Sequence, residues 1–363
     1  MKTFQDLIEE VQKPGLCHHC GGCVTFCTSI NYGALELDEN GMPRFGDRDK
    51  CIECGLCYSI CPEINELDEE TKKMVSWEPP IGRVIELTAA RAMDPAIRAK
   101  ATDGGAVTAI LLHLFDTGRI DGAIVTRQTG LLNREPHLAM TREDIIESAG
   151  FFLGTSHGIK HFGHDYSTYS PSVQEFRPVM EKGLSRIALV GTPCQIEAVR
   201  KIEVLGIVPS DSIKFCLGLF CSGNFTFDED EKKQLEKIGG FSWDAVKKIN
   251  IKENFMVYLS DQSVISIPLE KIDFMKRFAC RFCMDYSAEY SDISFGGIGA
   301  KEGWTTVITR TPLGRAVLAD ARGKTIETAS ADGLKASSRN TIKTVAAASK
   351  QKREAAKKKR EKL

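Results

Sequence analysis

Two stretches decide the reading of this chain: CHHCGGCVTFC at residues 17–27 and CIECGLCYSICP at residues 51–62. They are one pattern written twice. Cys17, Cys20, Cys23 and Cys27 stand at spacings of two, two and three residues, and Cys51, Cys54, Cys57 and Cys61 repeat those spacings ahead of Pro62. Three thiolates on a tight loop can face three irons of one cube, and in two-cluster ferredoxins the fourth cysteine of each run ligates the other cube. The spacing therefore predicts a two-cluster, ferredoxin-like domain. Cys17, Cys20, Cys23 and Cys61 would hold one 4Fe–4S cube, and Cys51, Cys54, Cys57 and Cys27 the other. Gly21, Gly22 and Gly55 suit loops that turn sharply and point N–H groups at sulfur. Paired cysteines also hold structural zinc, but a zinc ribbon has two pairs rather than two runs of four. One departure from the pattern is Thr28, which follows Cys27 where proline is expected.

Outward from these runs the chain divides into four. Residues 1–66 form the ferredoxin domain, entered through an amphipathic helix carrying Phe4, Leu7, Ile8 and Val11. Residues 67–82 are polar, end near Pro79-Pro80 and read as a linker. Residues 83–335 alternate strand-like and helix-like segments, the rhythm of an α/β domain. Val84 to Ala92 reads as a strand, Ala106 to Phe115 as a helix, Gly122 to Thr126 and Arg186 to Val190 as strands, and Ile196 to Ile202 as a helix after a turn. Phe255 to Pro268 reads as a hairpin, which would make the sheet mixed. Residues 336–363 form a basic helical or disordered tail, with eight basic and two acidic residues between Lys350 and Lys362. A solvated tail competes there with one that docks on an acidic partner or an anionic membrane surface.

Five further cysteines remain. Cys280 and Cys283 have ligand spacing, Cys194 follows a buried strand in Gly191-Thr192-Pro193-Cys194-Gln195, and Cys221 follows Leu217 to Phe220. A third cluster on Cys194, Cys221, Cys280 and Cys283 would leave Cys216 as a core thiol. Inert thiols or a zinc knuckle are the alternatives. Thr102, Asp103, Gly104, Gly105 and Thr108 precede or open an apolar helix, where backbone N–H groups can meet a phosphate; an ordinary tight turn is the competing reading. Gly296 and Gly297 end a strand and permit close approach of a cofactor. Arg310, at the end of Thr305 to Thr309, suits a phosphate or carboxylate, or else a surface ion pair. His18 and His19 read as solvated rather than ligating. His157, His161 and His164 read as a polar loop before a metal site.

The bulk numbers exclude several classes. At 363 residues the chain has room for about two to three domains. A formal charge of −1 gives no field favouring nucleic acid. No apolar run reaches the ~18–20 residues of a membrane span, and the first residues lack the apolar core of a signal peptide. A cytoplasmic protein is expected, in which thirteen cysteines need a use other than disulfides. No hydrolase triad is legible.

The combination of motifs is specific. A two-cluster segment precedes DGGAVTAIL, GTPCQ, LFCSGNF, CRFCMDYSAEYSDISFGG and TVITRT. This resembles the coenzyme F420 hydrogenase/dehydrogenase beta-subunit family over roughly residues 15–320, and most closely its ferredoxin-fused F420H2 dehydrogenase input subunits. The resemblance implies FAD in the α/β domain with a 4Fe–4S cluster beside it on Cys194, Cys221, Cys280 and Cys283, three clusters in all. It makes Thr102, Gly104, Gly105, Thr108 and the turn of Gly191, Thr192, Pro193 and Gln195 neighbours of the cofactor, with Asp103, Gly296, Gly297 and Arg310 added as candidates from their own sequence context. It implies hydride transfer from reduced coenzyme F420 to FAD and single electrons through the clusters to partner subunits or ferredoxin, in a direction that can reverse. Such partners would bring the chain to the inner face of the membrane. Ser167-Thr168-Tyr169 departs from a Ser-Lys-Tyr motif of relatives. A flavin-free electron-transfer subunit and a ferredoxin-dependent reductase of another substrate are the alternatives.

Overall fold

Thr3 starts the lead-in helix by donating its N–H to Asp6 Oδ2 at 2.6 Å. Phe4–Leu7 runs on into a wider turn, Ile8–Gln12. Phe4, Leu7 and Val11 thereby reach one buried cluster with Leu16, Val24, Leu35 and Tyr58. Gly21 (φ +78°) and Gly55 (φ +75°) take left-handed conformations that a side chain would strain. Each opens a short helix, Gly22–Phe26 and Leu56–Ser59, in the middle of its cysteine run. Strands β1 (Leu35–Leu37) and β2 (Pro43–Phe45) pair antiparallel between the two runs.

The structure, a computed structural model, describes residues 1–27, 32–39, 41–129, 134–150, 179, 182–207, 210–251, 253–329 and 338–363. Thr28, His157, His161, His164, Ser167, Thr168 and Tyr169 lie outside the described residues.

After the ferredoxin module come β3 (Glu86–Ala92), β4 (Gly122–Gln128), β5 (Arg134–Ala139), β6 (Ile187–Gly191) and β7 (Ile213–Leu219). They are followed by β8 (Val246–Ile251), β9 (Asn254–Leu259), β10 (Val264–Pro268), β11 (Ile293–Gly296), β12 (Thr305–Thr309) and β13 (Ile326–Ala329). Among the described residues the main sheet has eight strands in the order β13-β3-β12-β11-β7-β6-β4-β5. β4, β6, β7 and β11 are mutually parallel, and β5, β12, β3 and β13 join by antiparallel pairing. Helices Ala106–Asp116 and Pro312–Ala321 cover one face through Ile110, Leu114, Val317 and Leu318. Helix Pro193–Val204 covers the other through Ile196 and Val199, against Ile124, Leu189 and Cys216. Parallel strands buried on both faces explain the near-continuous apolar runs in the sequence.

Two expectations need correction, and a third, left open between a helical and a disordered tail, resolves to a helix. The hairpin of residues 255–268 is β9 with β10, but it belongs to a separate sheet with β8, so the mixed character of the main sheet has other causes. The linker is packed structure: Asp68–Met74 is helical, Val75 and Ile81 are buried, and Trp77 Nε1 donates to Glu289 Oε2 at 2.8 Å. The basic tail is a docked helix, Ser338–Arg360, that buries Thr341, Val345, Ser349 and Ala356. Its apolar face is a narrow stripe of mostly small residues, which composition alone conceals.

Gly296 closes β11 where a Cβ would overlap the Phe220 ring. Gly296→Ala should therefore cost about 1–3 kcal/mol through overpacking. A thermal midpoint equal to wild type would show that the ring does not occupy that space.

Candidate functional site

Two hollows, of about 390 and 430 Å³, lie within the ferredoxin module. Cys27, Cys51, Cys54 and Cys57 line one of them; Cys17, Cys20, Cys23 and Cys61 line the other. The fourth cysteine of each run thus crosses to the partner's hollow, as the spacing predicts. Burial pushes the Cys20 and Cys57 thiols up to about 12, and neighbouring cysteines of each set push the same way. Buried thiolates crowded together need a cationic centre to neutralise them, and an iron–sulfur cube is the group whose ligand set this is. Among the described residues no three His, Cys, Asp or Glu groups gather at single-ion distance; each set of four instead surrounds a hollow.

A third set of thiols stands between this module and the main sheet. Cys194 lies in the first turn of Pro193–Val204, Cys221 two residues past β7, and Cys280 and Cys283 in the loop before β11. Burial raises Cys194 well above the usual thiol range, with Cys20, Cys283 and Cys221 adding to it. Cys280 behaves differently. Burial alone would raise it, but a His18 hydrogen bond, Arg277 and the Asn224 N–H bring it down to about 7. That N–H lies 3.3 Å from the sulfur. The three sets are contiguous: Cys194 neighbours Cys20, and Cys23 neighbours Cys57. Cys216 lies on β7 itself, fully buried against helix Pro193–Val204 and apart from all three.

His18 and His19 are buried, not solvated. His18 Nε2 lies 2.7 Å from Glu63 Oε1, and Arg360 pairs with the other carboxylate oxygen at 2.6 Å. Arg277 donates to the His18 and Cys17 carbonyls at 3.3 and 3.4 Å. The loop reads as exposed in the sequence because the element that covers it lies some 260 residues away in the chain.

Through Cys221 the third set borders an open cleft. It sits at the carboxyl ends of β4, β6, β7 and β11, the place where open α/β sheets bind ligands. Thr102, Asp103, Gly105 and Thr108 line it on one side, Gly296 and Gly297 on another, and Phe220, Cys221 and Tyr286 toward the thiols. Gly105 (φ +74°) caps helix Ala106–Asp116, whose first residues Ala106, Val107 and Thr108 also reach the cleft. Helix N-terminal N–H groups suit an anionic group such as phosphate. The small sheet holds this loop in place: Lys248 Nζ donates to Thr102 O at 2.7 Å and Asn250 Nδ2 to Asp103 Oδ1 at 3.2 Å. Asn250 is a cleft residue outside every quoted motif, whereas Ser222 and Tyr286 lie inside LFCSGNF and CRFCMDYSAEYSDISFGG without standing out as candidates there.

Other sequence candidates lie elsewhere. Gly104 is pressed against the sheet, donating its N–H to Thr305 Oγ1 at 3.0 Å. Gly191, Thr192, Pro193 and Gln195 build the start of a helix: Thr192 is the N-cap, and its N–H donates to Gln195 Oε1 at 2.9 Å. Proline at the first position and glutamine at the third are the local signal for it. Arg310 lies outside the cleft lining and is no surface ion pair. It is 1% exposed and donates to Ile81 O at 2.6 Å, Ser287 O at 3.0 Å and Ser294 Oγ at 2.8 Å.

Comparison with known proteins agrees with this geometry. The models for the N-terminal and C-terminal parts of the coenzyme F420 hydrogenase/dehydrogenase beta subunit match residues 87–162 and 184–333. A 4Fe-4S dicluster domain matches 9–62, and a 4Fe-4S single cluster domain of ferredoxin I matches 47–95. The beta subunit of the coenzyme F420 hydrogenase of Methanothermobacter thermautotrophicus is 33% identical over 66% of this chain and 82% of its own. A subunit of the F(420)H(2) dehydrogenase of Methanosarcina mazei is 30% identical over 85% of this chain and 82% of its own. A chain of the F420-reducing NiFe hydrogenase complex from Methanosarcina barkeri superposes with a TM-score of 0.67 at 28% identity, covering 79% of this chain and 94% of that one.

Arg310→Leu should destabilise the protein by about 1–3 kcal/mol, because it strands several buried acceptors. Chemical denaturation checks the loss. Full stability with loss of a bound cofactor instead would return Arg310 to the site.

Proposed function

Because the chain belongs to the coenzyme F420 hydrogenase/dehydrogenase beta-subunit family, we propose that it is the electron-input subunit of an F420H2-oxidising oxidoreductase, holding FAD in the cleft and three 4Fe–4S clusters on its cysteines. One observation carries the reading. Three sets of four thiols follow one another from the cleft wall inward, through Cys221, Cys194 beside Cys20, and Cys23 beside Cys57.

A flavin in the cleft supplies the exchange between a two-electron hydride carrier and one-electron clusters, chemistry that no side chain provides. The chain's own residues do the rest. The helix start at Ala106 to Thr108 offers N–H groups for phosphate, and Thr102 and Thr108 offer hydroxyls. Gly296 and Gly297 line the cleft wall, where the Phe220 ring fills the space a Gly296 side chain would take. Phe220 and Tyr286, with ring centroids 5.7 Å apart, form an apolar partition beside Cys221 that excludes water. Cys17, Cys20, Cys23 and Cys61, then Cys27, Cys51, Cys54 and Cys57, would carry the two ferredoxin cubes. Cys194, Cys221, Cys280 and Cys283 would carry the cube nearest the cleft. No catalytic acid or base is assigned, since hydride transfer needs none.

The dehydrogenase relative aligns over more of this chain than the hydrogenase relative does, which supports a ferredoxin-fused input subunit that passes electrons to partner subunits. No helix among the described residues is long and apolar enough to cross a membrane, so any attachment to one would run through such partners.

Anaerobically purified protein should contain about twelve irons per chain and release FAD on denaturation. Reduced coenzyme F420 should bleach its flavin absorption. Iron without flavin would favour a plain electron-transfer protein, and bleaching only by another donor would move the substrate assignment. Cys280→Ser should remove one cube's iron and leave the two ferredoxin cubes; full iron retention would refute the third ligand set.

A further inference from the structure

The C-terminal helix places a lysine where the proposed third cluster would sit against it. Lys352 Nζ donates to Cys221 O at 2.8 Å and to Asp285 O at 2.7 Å. An ammonium has three N–H donors, and these carbonyls take two. Both acceptors are uncharged carbonyls on the two segments that carry Cys221 and Cys283, and Lys352 also lies near Cys280. A lysine side chain is positively charged at neutral pH.

The helix is fastened on both sides of that residue. Val345 packs among Ile81, Leu87 and Ile308. Arg353 pairs with Glu289 and donates to Pro80 O, and Arg360 pairs with Glu63 at 2.6 Å while donating to Phe282 O at 3.1 Å. Anchored at three points, the ammonium cannot swing out to water. Exposed lysines on the same helix, such as Lys350 with its side chain 76% exposed, have no such restraint.

We propose that the C-terminal helix is an electrostatic strap that holds the Lys352 ammonium against the Cys221, Cys280 and Cys283 thiols, so that the cluster beside the cleft takes up an electron more readily than it would unaided. Each uptake adds one electron and one negative charge to that centre, supplied by the reduced occupant of the cleft; no bond forms and no proton moves. A fixed positive charge in a dry site stabilises the more anionic, reduced form, and net charge and burial are among the factors that set cluster potentials. The inference rests on the third ligand set proposed above.

The test is a potentiometric titration of the anaerobic full-length holoprotein, followed by electron paramagnetic resonance, after an iron count. Lys352→Gln, which retains a hydrogen-bonding side chain without the charge, should lower one midpoint. At the wild-type midpoint of that centre the reduced-to-oxidised ratio should fall about tenfold, or about 59 mV for a one-electron couple. The other two midpoints should stay put. Lys352→Arg, which keeps the charge, and Lys350→Gln, which removes a solvated one, should leave all three near wild type. Equal shifts in Lys352→Gln and Lys352→Arg would overturn the proposal, as would no shift in either, or loss of the third centre's iron from both. A wild-type chain carrying only two clusters would instead sink the ligand assignment, so the two failures are distinguishable.

Discussion

The arrangement depends on one helix and one buried ammonium. Pro193–Val204 carries Cys194 in its first turn, two turns before Lys201, which is fully buried. Lys201 Nζ donates to Ile64 O at 2.6 Å and Cys61 O at 3.2 Å and pairs with Asp68 at 2.8 Å and Glu197 at 3.4 Å. A charge in that position without partners would cost several kcal/mol, so the ferredoxin module must end where it does. Gly22 completes the fit: a Cβ there would come within 3.2 Å of Ala198 on the same helix. The second cysteine run and the α/β domain are thus tied at Cys61 itself, one of the proposed ligands. The spacing between the clusters follows from this docking rather than from either domain alone.

The surroundings of the thiols are dry and positively biased. His18, Arg277, Lys276 and Lys352 all stand close to Cys280 or the loop that carries it. Carboxylates occur nearby, but most are committed to cations: Glu63 to His18 and Arg360, Glu289 to Arg353, Asp68 to Lys201. Such pairing lets acidic groups hold the fold together without adding net negative charge next to sulfur. It also explains a composition that is nearly neutral overall, despite buried ionic contacts throughout the interdomain region.

What the sequence discloses is what short-range chemistry determines. Cluster ligands must recur at close, fixed intervals, so both ferredoxin sets are readable from spacing, including the exchange of the fourth cysteine. The strand–helix rhythm from Val84 onward is readable because parallel strands need apolar runs and crossover helices. Long-range burial is not readable. Arg310 looks like a surface arginine after a strand, and only packing between Ile81, Ser287 and Ser294 reveals it as a buried brace. The tail looks solvated because its inward stripe is Thr341, Val345, Ser349 and Ala356 among lysines. The polar segment after residue 67 hides two buried apolar residues, Val75 and Ile81. Asn250 reaches the cleft only because β8 folds over the Thr102 loop, a contact between residues 147 positions apart.

β7 makes the cleft and the third thiol set inseparable. The strand pairs with β6 and β11, so its end is fixed in register; Phe220 N–H then donates to Phe295 O at 2.7 Å and Cys221 N–H to Tyr286 O at 2.8 Å. Phe220 and Cys221 are consecutive, and both line the cleft. Gly296 is bare because the Phe220 ring occupies the space its side chain would take. Moving the ring would therefore move the backbone that carries the cysteine. A cofactor bound against this wall and a cluster bound through Cys221 would have their separation set by hydrogen bonds of the sheet, and not by flexible loops. For electron transfer, where the protein's contribution is distance and orientation, that rigidity is the functional property of the fold.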